Sequence, residues 1–269
     1  MPRVSVIMGI YNCASTLQEA LDSLYNQTYQ DFEIILCDDG SIDSTYEVAL
    51  KNKLTHDNVV LLRNEHNLGL NATLNKCLSV AKGEYIARMD GDDISMPSRF
   101  EVEVDFLDTH PEYAVVSTPC NAFDENGIYR IGIGQGEVKP KDFLLHPPVC
   151  HAPCMVRVEA YKAVNGYSVD DKLLRVEDYH LWFKLYSAGY KLYQMHDSLY
   201  LMRDDRNACK RRTWKNRRNE FYVKWIGYPM VGLPWYSRIY CFRPILIWLL
   251  PTFVYEKVRR SSLMRRIFK

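Results

Sequence analysis

The residues best placed to do chemistry stand in the stretch Ala87–Asp93, which reads ARMDGDD. An apolar run, Tyr85, Ile86 and Ala87, ends in three carboxylates, Asp90, Asp92 and Asp93. Carboxylates this close repel one another and gain the fold little at the end of a strand. A hard divalent cation between them removes the repulsion. Mg²⁺ and Mn²⁺ take oxygen ligands, and Mg²⁺ typically combines one or two protein carboxylates with substrate phosphates. The stretch therefore reads as a site for a metal–diphosphate ligand. The competing reading is an acidic turn capping a helix that starts near Pro97, because Asp is common in turns and N-caps.

Two more acidic pairs stand where chemistry is possible. Asp38 and Asp39 follow the apolar run Phe32–Cys37, and Glu177 and Asp178 open a helical stretch. An ionised carboxylate only accepts hydrogen bonds. Asp38 can thus receive the imide N–H of uracil or thymine, with Asp39 assisting it or bracing the loop. The alternative for this pair is to cap the next helix, with Gly40 as the turn residue. Tyr11 and Asn12 can offer a stacking face and backbone contacts to a base; the alternative is an ordinary turn. Asn67 and Gly69 lie in a later loop, where glycine lets backbone groups approach a ligand closely. Glu177 and Asp178 also have an alternative, an N-cap favoured by the helix dipole. Arg63 and Arg88 carry charge suited to phosphate, but exposed arginine is most often just solvated, and neither is assigned a role.

These residues need elements to position them. Arg3–Ile10, Phe32–Cys37, Val59–Arg63 and Glu84–Met89 read as strands. Between them Ala14–Asn26, a stretch N-capped by Ser41 and running to about Lys51, and Leu70–Ala81 read as helices, the last stopped by Gly83. Short apolar strands separated by helices predict a parallel sheet with helices on its faces. Ligands bind at the carboxyl ends of such strands, where Tyr11-Asn12, Asp38–Ser41 and Asp90–Asp93 all fall. Beyond Asp93 the pattern predicts helices over Arg99–Leu107, Val158–Val164 and Asp178–Ser187, and strands over Ala114–Thr118, Lys191–Met195 and Ser198–Met202. Residues 119–150, rich in Gly and Pro, predict loops and short strands.

The chain has 269 residues, 47% of them hydrophobic, which suits one large domain or a domain with an appendage. Its net charge of +1 hides an asymmetry: 17 basic against 29 acidic residues up to Met202, then 17 against 4 from Arg203 onward. Such a tail is expected to meet something anionic, or to dock on its own acidic domain. Lys210–Lys224 predicts a basic helix, and Trp225–Tyr255 is aromatic and broken by Pro229, Pro234, Pro244 and Pro251. The most apolar run, Ile245–Leu250, is far below the roughly 20 residues a spanning helix needs. Trp, Tyr and Phe beside Lys and Arg suit a segment lying in the membrane interface. The alternative is a helical cap on the main domain. The opening MPRVSVIMGIYN lacks the long apolar core of a signal peptide. The eight cysteines form no paired framework, which suits reduced thiols. The expected location is therefore the cytoplasm, peripheral at the inner face of the cell membrane. Cys150, His151 and Cys154 lack a second ligand pair at zinc spacing.

Four motifs in order, VSVIMGIYN, EIILCDDGSIDST at 33–45, NEHNLGLNATLNKCLSVAKGEYIARMDGDD at 64–93 and VEDYHLWFKLYSAG at 176–189, make the chain resemble a family 2 glycosyltransferase with the GT-A fold. The resemblance covers about residues 1–205. It departs at Gly9, where the family usually has Pro, and at Arg203-Asp204-Asp205-Arg206, where many relatives carry a His or a Ser-rich motif. It implies a GT-A domain over 1–206, with a nucleotide-binding half at 1–93 and an acceptor-binding half at 94–206, followed by the basic aromatic tail at 207–269. It implies that Asp38, Asp39, Tyr11, Asn12, Asn67 and Gly69 hold the nucleotide. It implies that Asp92 binds Mn²⁺ or Mg²⁺, that Asp90 binds ribose, metal or both, and that Asp93 holds the loop. Asp178 matches the acceptor-side base, with Glu177, Trp182 and His151 toward the acceptor; core packing is the competing reading for Trp182. The implied reaction is inverting, metal-dependent transfer of a sugar from a nucleoside diphosphate, UDP favoured, to a glycan. The tail adds a lipid-linked acceptor at a membrane surface, as in bacterial surface-polysaccharide synthesis. No nucleic-acid partner is expected. A sugar nucleotidyltransferase would want a Gly-rich basic loop after the first strand, and a dinucleotide enzyme GxGxxG there; GIYNCAST is neither. A sugar-nucleotide-binding scaffold without turnover is opposed by the intact Asp90, Asp92 and Asp178.

Overall fold

The computed structural model describes residues 1–203 and 213–249. Strands β1 (Val4–Ile10), β2 (Phe32–Asp38), β3 (Val59–Arg63) and β4 (Tyr85–Arg88) alternate with helices α1 (Leu17–Tyr25), α2 (Thr45–Thr55) and α3 (Leu70–Leu78). β1 pairs in parallel with β2 on one side and β4 on the other, and β3 extends the sheet beyond β2. Side chains alternate across a strand, so Val4, Val6, Met8 and Ile10 face the core under α1, while Ile7 faces the opposite core, which contains Leu74 and Cys77 of α3. The parallel pairing sets Ile10 opposite Asp38 and Ile7 opposite Arg88. The loops after β1, β2 and β4 therefore leave the sheet at one edge.

The second half continues with β5 (Ile94–Ser95), α4 (Arg99–Thr109), β6 (Tyr113–Ser117), β7 (Cys120–Asp124), β8 (Gly127–Arg130), β9 (Gly136–Glu137), β10 (Cys154–Arg157), α5 (Val158–Ala163), α6 (Glu177–Ser187), β11 (Lys191–Gln194) and β12 (Tyr200–Arg203). The main sheet runs β3-β2-β1-β4-β10-β6-β11-β9. It is mixed rather than wholly parallel, because β10 lies antiparallel between β4 and β6. A second, four-stranded sheet, β5-β12-β7-β8, covers the irregular region. It joins segments far apart in sequence: Tyr200 pairs with both Ser95 and Cys120. Ser41 does not cap α2, whose N-cap is Ser44. The Ser41 hydroxyl instead accepts the Asn12 N–H at 3.0 Å and ties the first loop to the second.

The tail is not a detached appendage over its described part. Helices α7 (Trp214–Met230) and α8 (Arg243–Leu249) follow β12. Val223, Tyr228, Val231 and Cys241 enter the same buried cluster as Tyr179, Phe183 and Leu185 of α6. Asn219 donates to the carbonyls of Asp171 and Leu174, each at 3.1 Å, and Tyr228 donates to Leu144 at 2.7 Å. The helix so fixes the segment that leads into Glu177-Asp178. The motif remnant at Asp204–Arg206, Cys209 and the basic end from Leu250 onward lie outside the described residues. Among the described residues, no helix is long and apolar enough to cross a membrane.

Gly227 makes the α6–α7 contact possible: a Cβ there would stand 2.3 Å from the Phe183 ring. Gly227→Val should destabilise the protein by about 1–3 kcal/mol, the usual cost of overpacking a core. Urea unfolding checks this; a midpoint equal to wild type would mean that α7 does not seat on Phe183.

Candidate active site

The first two loops are laced together. Asn12 stands in the left-handed region at φ 48, and its Oδ1 accepts the Ile42 N–H at 3.0 Å. Gly40, at φ +70, passes so close to the next loop that a Cβ would meet the His66 backbone at 2.7 Å. Asp39 holds that loop: its carboxylate accepts the N–H groups of Leu68 (2.9 Å) and Gly69 (3.0 Å) and the Asn64 amide (2.8 Å). Of the two roles open to Asp39, the structure supplies the brace. Asp38 ends β2 with no exposed surface, lies 3.2 Å from the Arg63 guanidinium and accepts the Ser41 N–H at 3.3 Å, so it also shapes the loop. Tyr11, Asn12 and Asn67 are exposed beside it, with Gly69 half-buried.

β4 delivers the acidic cluster. One carboxylate oxygen from each of Asp90, Asp92 and Asp93 lies within 4.8 Å of the others. Asp90 is half-buried and pairs with the Arg88 guanidinium, and its N–H donates to the Tyr200 hydroxyl at 3.2 Å. Asp92 is exposed. Its proton affinity is raised by the desolvation of its surroundings and by the Asp90 charge. Asp93 is buried; burial and then the charges of Asp90 and Asp92 push it up to about 8. One Asp93 oxygen accepts the Arg203 N–H at 2.8 Å, while the other is buried without a partner. Crowded carboxylates with an orphaned buried oxygen form the donor set a hard divalent cation takes. The residues present fit such an ion. Arg203 also donates from Nε to the Asp92 carbonyl at 2.9 Å and pairs with Glu19, so the last strand clamps the cluster.

α6 supplies the other half. Glu177 and Asp178 occupy its first turn, where the helix dipole favours negative charge. Burial, followed by the Glu177 charge, nevertheless pushes Asp178 up to about 7. His151 is half-buried, hydrogen-bonds through Nε2 to the Tyr167 hydroxyl at 2.7 Å and is held neutral by burial and by the Arg88 charge. Trp182 does not reach a surface. It is fully buried, with its ring 5.9 Å from that of His151. The spacing that puts it on the face of Asp178 turns it into the core, so it supports His151 rather than lining a sugar site. Arg88, Tyr200 and Arg203 are the site residues that the sequence did not assign. A charged residue closing the apolar run Tyr85-Ile86-Ala87 was the one available signal.

Comparison with known proteins agrees with this geometry. The sequence pattern of glycosyl transferase family 2 matches residues 5–164. EpsE of Bacillus subtilis (strain 168), named as a glycosyltransferase, is 38% identical over 267 residues, covering 98% of this chain and 96% of its own. UDP-Glc:alpha-D-GlcNAc-diphosphoundecaprenol beta-1,3-glucosyltransferase WfaP of Escherichia coli is 29% identical over 191 residues, covering 70% of this chain and 72% of its own. Among solved structures, S. aureus TarS 1–349 in complex with UDP-GlcNAc superposes with a TM-score of 0.70 at 18% identity, covering 99% of this chain and 78% of that one. The fold is that of the GT-A glycosyltransferases. The chain belongs to glycosyl transferase family 2, and it is a glycosyltransferase.

Mn²⁺ should raise the melting temperature of the wild-type protein, since a ligand bound only by the folded state stabilises it. The rise should be larger at pH 8.5 than at pH 6.5, because Asp93 keeps its proton up to about pH 8. Asp92→Asn should lose the rise. An unchanged Mn²⁺ response in that variant would exclude the cluster as the cation site.

Proposed function

We propose that the chain transfers one sugar from a nucleoside-diphosphate sugar, a UDP-sugar first, to a hydroxyl of a lipid-linked glycan, with inversion at the anomeric carbon. The observation that carries this reading is a basic carboxylate, Asp178, in the same electrostatic field as a cation-fitting cluster: Arg88 pairs with Asp90 and its charge also acts on Asp178. The nucleoside lies along Tyr11, Asn12, Asn67 and Gly69, on loops that Asp39 and Asp38 brace. Asp92 and Asp90 hold Mn²⁺ or Mg²⁺, which supplies charge that stabilises the departing diphosphate. A sugar hydroxyl is a poor nucleophile until a base takes its proton. Asp178 accepts that proton as the hydroxyl attacks from the face opposite the nucleotide, so one direct displacement inverts the centre. A base tuned to about 7 is ionised yet proton-hungry near neutrality. Glu177 and His151 orient the acceptor. The named substrates of WfaP, UDP-Glc and a diphosphoundecaprenol-linked sugar, support a UDP-sugar donor and a lipid-linked acceptor here.

The outer side of the tail supports work at the inner face of a membrane, in surface-polysaccharide synthesis. While one side of α7 packs into the core, Trp235 is 82% exposed and Ile239 72%, with Tyr236, Leu246 and Leu249 also exposed. Arg238 lies over the Trp225 ring, 4.5 Å from its centre. Basic residues near an anionic leaflet contribute about 1 kcal/mol each, less as salt screens them, and exposed aromatic rings anchor at headgroup depth.

Asp178→Asn should keep donor binding and lower turnover by roughly 10²–10⁴-fold, the usual worth of general-base catalysis. In the wild type, activity should climb with pH through about 7 as Asp178 ionises. Stability should move the other way. The fold raises the proton affinity of Asp178 above its unfolded value, so its contribution falls as pH rises from about 4 through 7. The Asn variant should therefore melt above wild type at pH 8 and not at pH 4. Near-normal turnover in the variant would leave Asp178 as a helix cap.

The full chain should co-sediment with vesicles containing phosphatidylglycerol at low salt and less at high salt. Trp235→Ala combined with Ile239→Ser should weaken this while leaving the melting temperature unchanged. Wild-type protein that stays in the supernatant at low salt would refute the membrane reading.

A further inference from the structure

Arg99, the first residue of α4, and Glu103 form an ion pair at 3.1 Å with no exposed side-chain surface on either partner. Such a pair is weak evidence for stability. Desolvating both charges offsets their attraction unless the remaining polar atoms are satisfied as well. Here they are not: Arg99 Nη1 and Glu103 Oε1 are both buried without a partner. The pair is therefore a poor way to fill the core beneath α4.

The guanidinium also makes contacts outside the pair. The pairing of β4 with β10 ends at Ala87. The Arg88 carbonyl lies beyond that ladder and accepts from Arg99 Nη2 at 3.0 Å. The same guanidinium stands 5.3 Å from the centre of the Tyr200 ring, and the Tyr200 hydroxyl accepts the Asp90 N–H at 3.2 Å. Both contacts lead to the acidic cluster. One fixes the backbone two residues before Asp90; the other backs the ring whose hydroxyl holds the N–H of Asp90 itself. Arg99 is in turn held in place. Buried Gln27 accepts the Phe100 N–H at 3.1 Å and donates to the Met96 carbonyl at 2.8 Å, which pins the first turn of α4.

We propose that Arg99 is a positioning residue for the cation seat: oriented by Glu103, it fastens the end of β4 and backs Tyr200, so that Asp90 and Asp92 meet a divalent cation in a preset arrangement. This rests on the Asp90–Asp93 cluster being the cation site. A planar guanidinium serves Glu103 and the Arg88 carbonyl at once, from Nε and Nη2. A lysine ammonium is a point charge on a flexible stem and lacks that fixed fork.

The test uses Mn²⁺ alone, with the free ion read by electron paramagnetic resonance well below the melting temperature of every variant. The pair is exchanged whole, as Arg99→Met with Glu103→Met. Replacing a buried ion pair by apolar side chains usually leaves stability intact, whereas losing one partner strands the other. The double variant should bind Mn²⁺ about tenfold more weakly than wild type, the low end for loss of a group that supports metal ligands from behind. If circular dichroism shows that it does not fold, Arg99→Lys takes its place with the same expectation, because it keeps a charge beside Glu103 and loses the fork. Wild-type Mn²⁺ affinity in the folded variant overturns the proposal and leaves Arg99 and Glu103 as core filling. A merely structural role would move the melting temperature and not the affinity of the folded protein. The two failures are distinguishable. Wild-type Mn²⁺ affinity in Asp92→Asn removes the seat itself, whereas a weakened Asp92→Asn beside an unaffected double variant removes only the role of Arg99.

Discussion

The mutual repulsion of Asp90, Asp92 and Asp93 is the constraint around which this molecule is built. Three carboxylate oxygens within 4.8 Å of one another would separate in a free chain. Here the chain cannot move apart. β4 is clamped in the sheet between β1 and β10, the Tyr200 hydroxyl accepts the Asp90 N–H, and Arg203 holds both the Asp93 carboxylate and the Asp92 carbonyl. Stability spent on this arrangement has to come from elsewhere, and two continuous cores on the faces of the sheet supply it. What remains is a preformed, negatively charged seat at the mouth of three parallel strands. A hard divalent cation is the ligand such a seat would suit.

The N-terminus of α6 obeys the same logic with one carboxylate. Asp178 sits where a helix N-terminus favours its charge and burial opposes it. The balance falls near neutrality, at about 7. Its surroundings are fixed from behind by Trp182 and from the side by the segment that Asn219 of α7 grips. Over its described part the tail packs into the core that carries α6.

Much of this was legible in the sequence where the signal is local. The strand Phe32–Cys37, an unbroken apolar run after Glu33, and the strand Val59–Arg63 needed only periodicity and flanking turns, and both are strands. Strand direction was not legible: Cys154–Arg157 is four residues long, and an apolar run looks the same whichever way its neighbour points. The second sheet was hidden for a related reason. β5 is two residues long and exists because Tyr200 and Leu201 pair with it. Ser41 had the right chemistry for a cap, but a backbone N–H almost thirty positions earlier claimed its hydroxyl. Asp38 was placed at the end of the correct strand and Trp182 on the correct helix, one turn after Asp178. Their side chains turn inward, which depends on neighbours that no window of sequence contains.

In the proposed mechanism a hydroxyl activated by Asp178 attacks the sugar from the face opposite a diphosphate held at the Asp90–Asp93 cluster. The stereochemistry of the product reports this most directly. Wild-type protein with Mn²⁺, an α-linked UDP-sugar and a polyprenyl-diphosphate-linked sugar acceptor should give a β-glycoside, read from the anomeric proton coupling in ¹H NMR. An α-glycoside, with the donor configuration retained, would contradict the single displacement and with it the role given to Asp178.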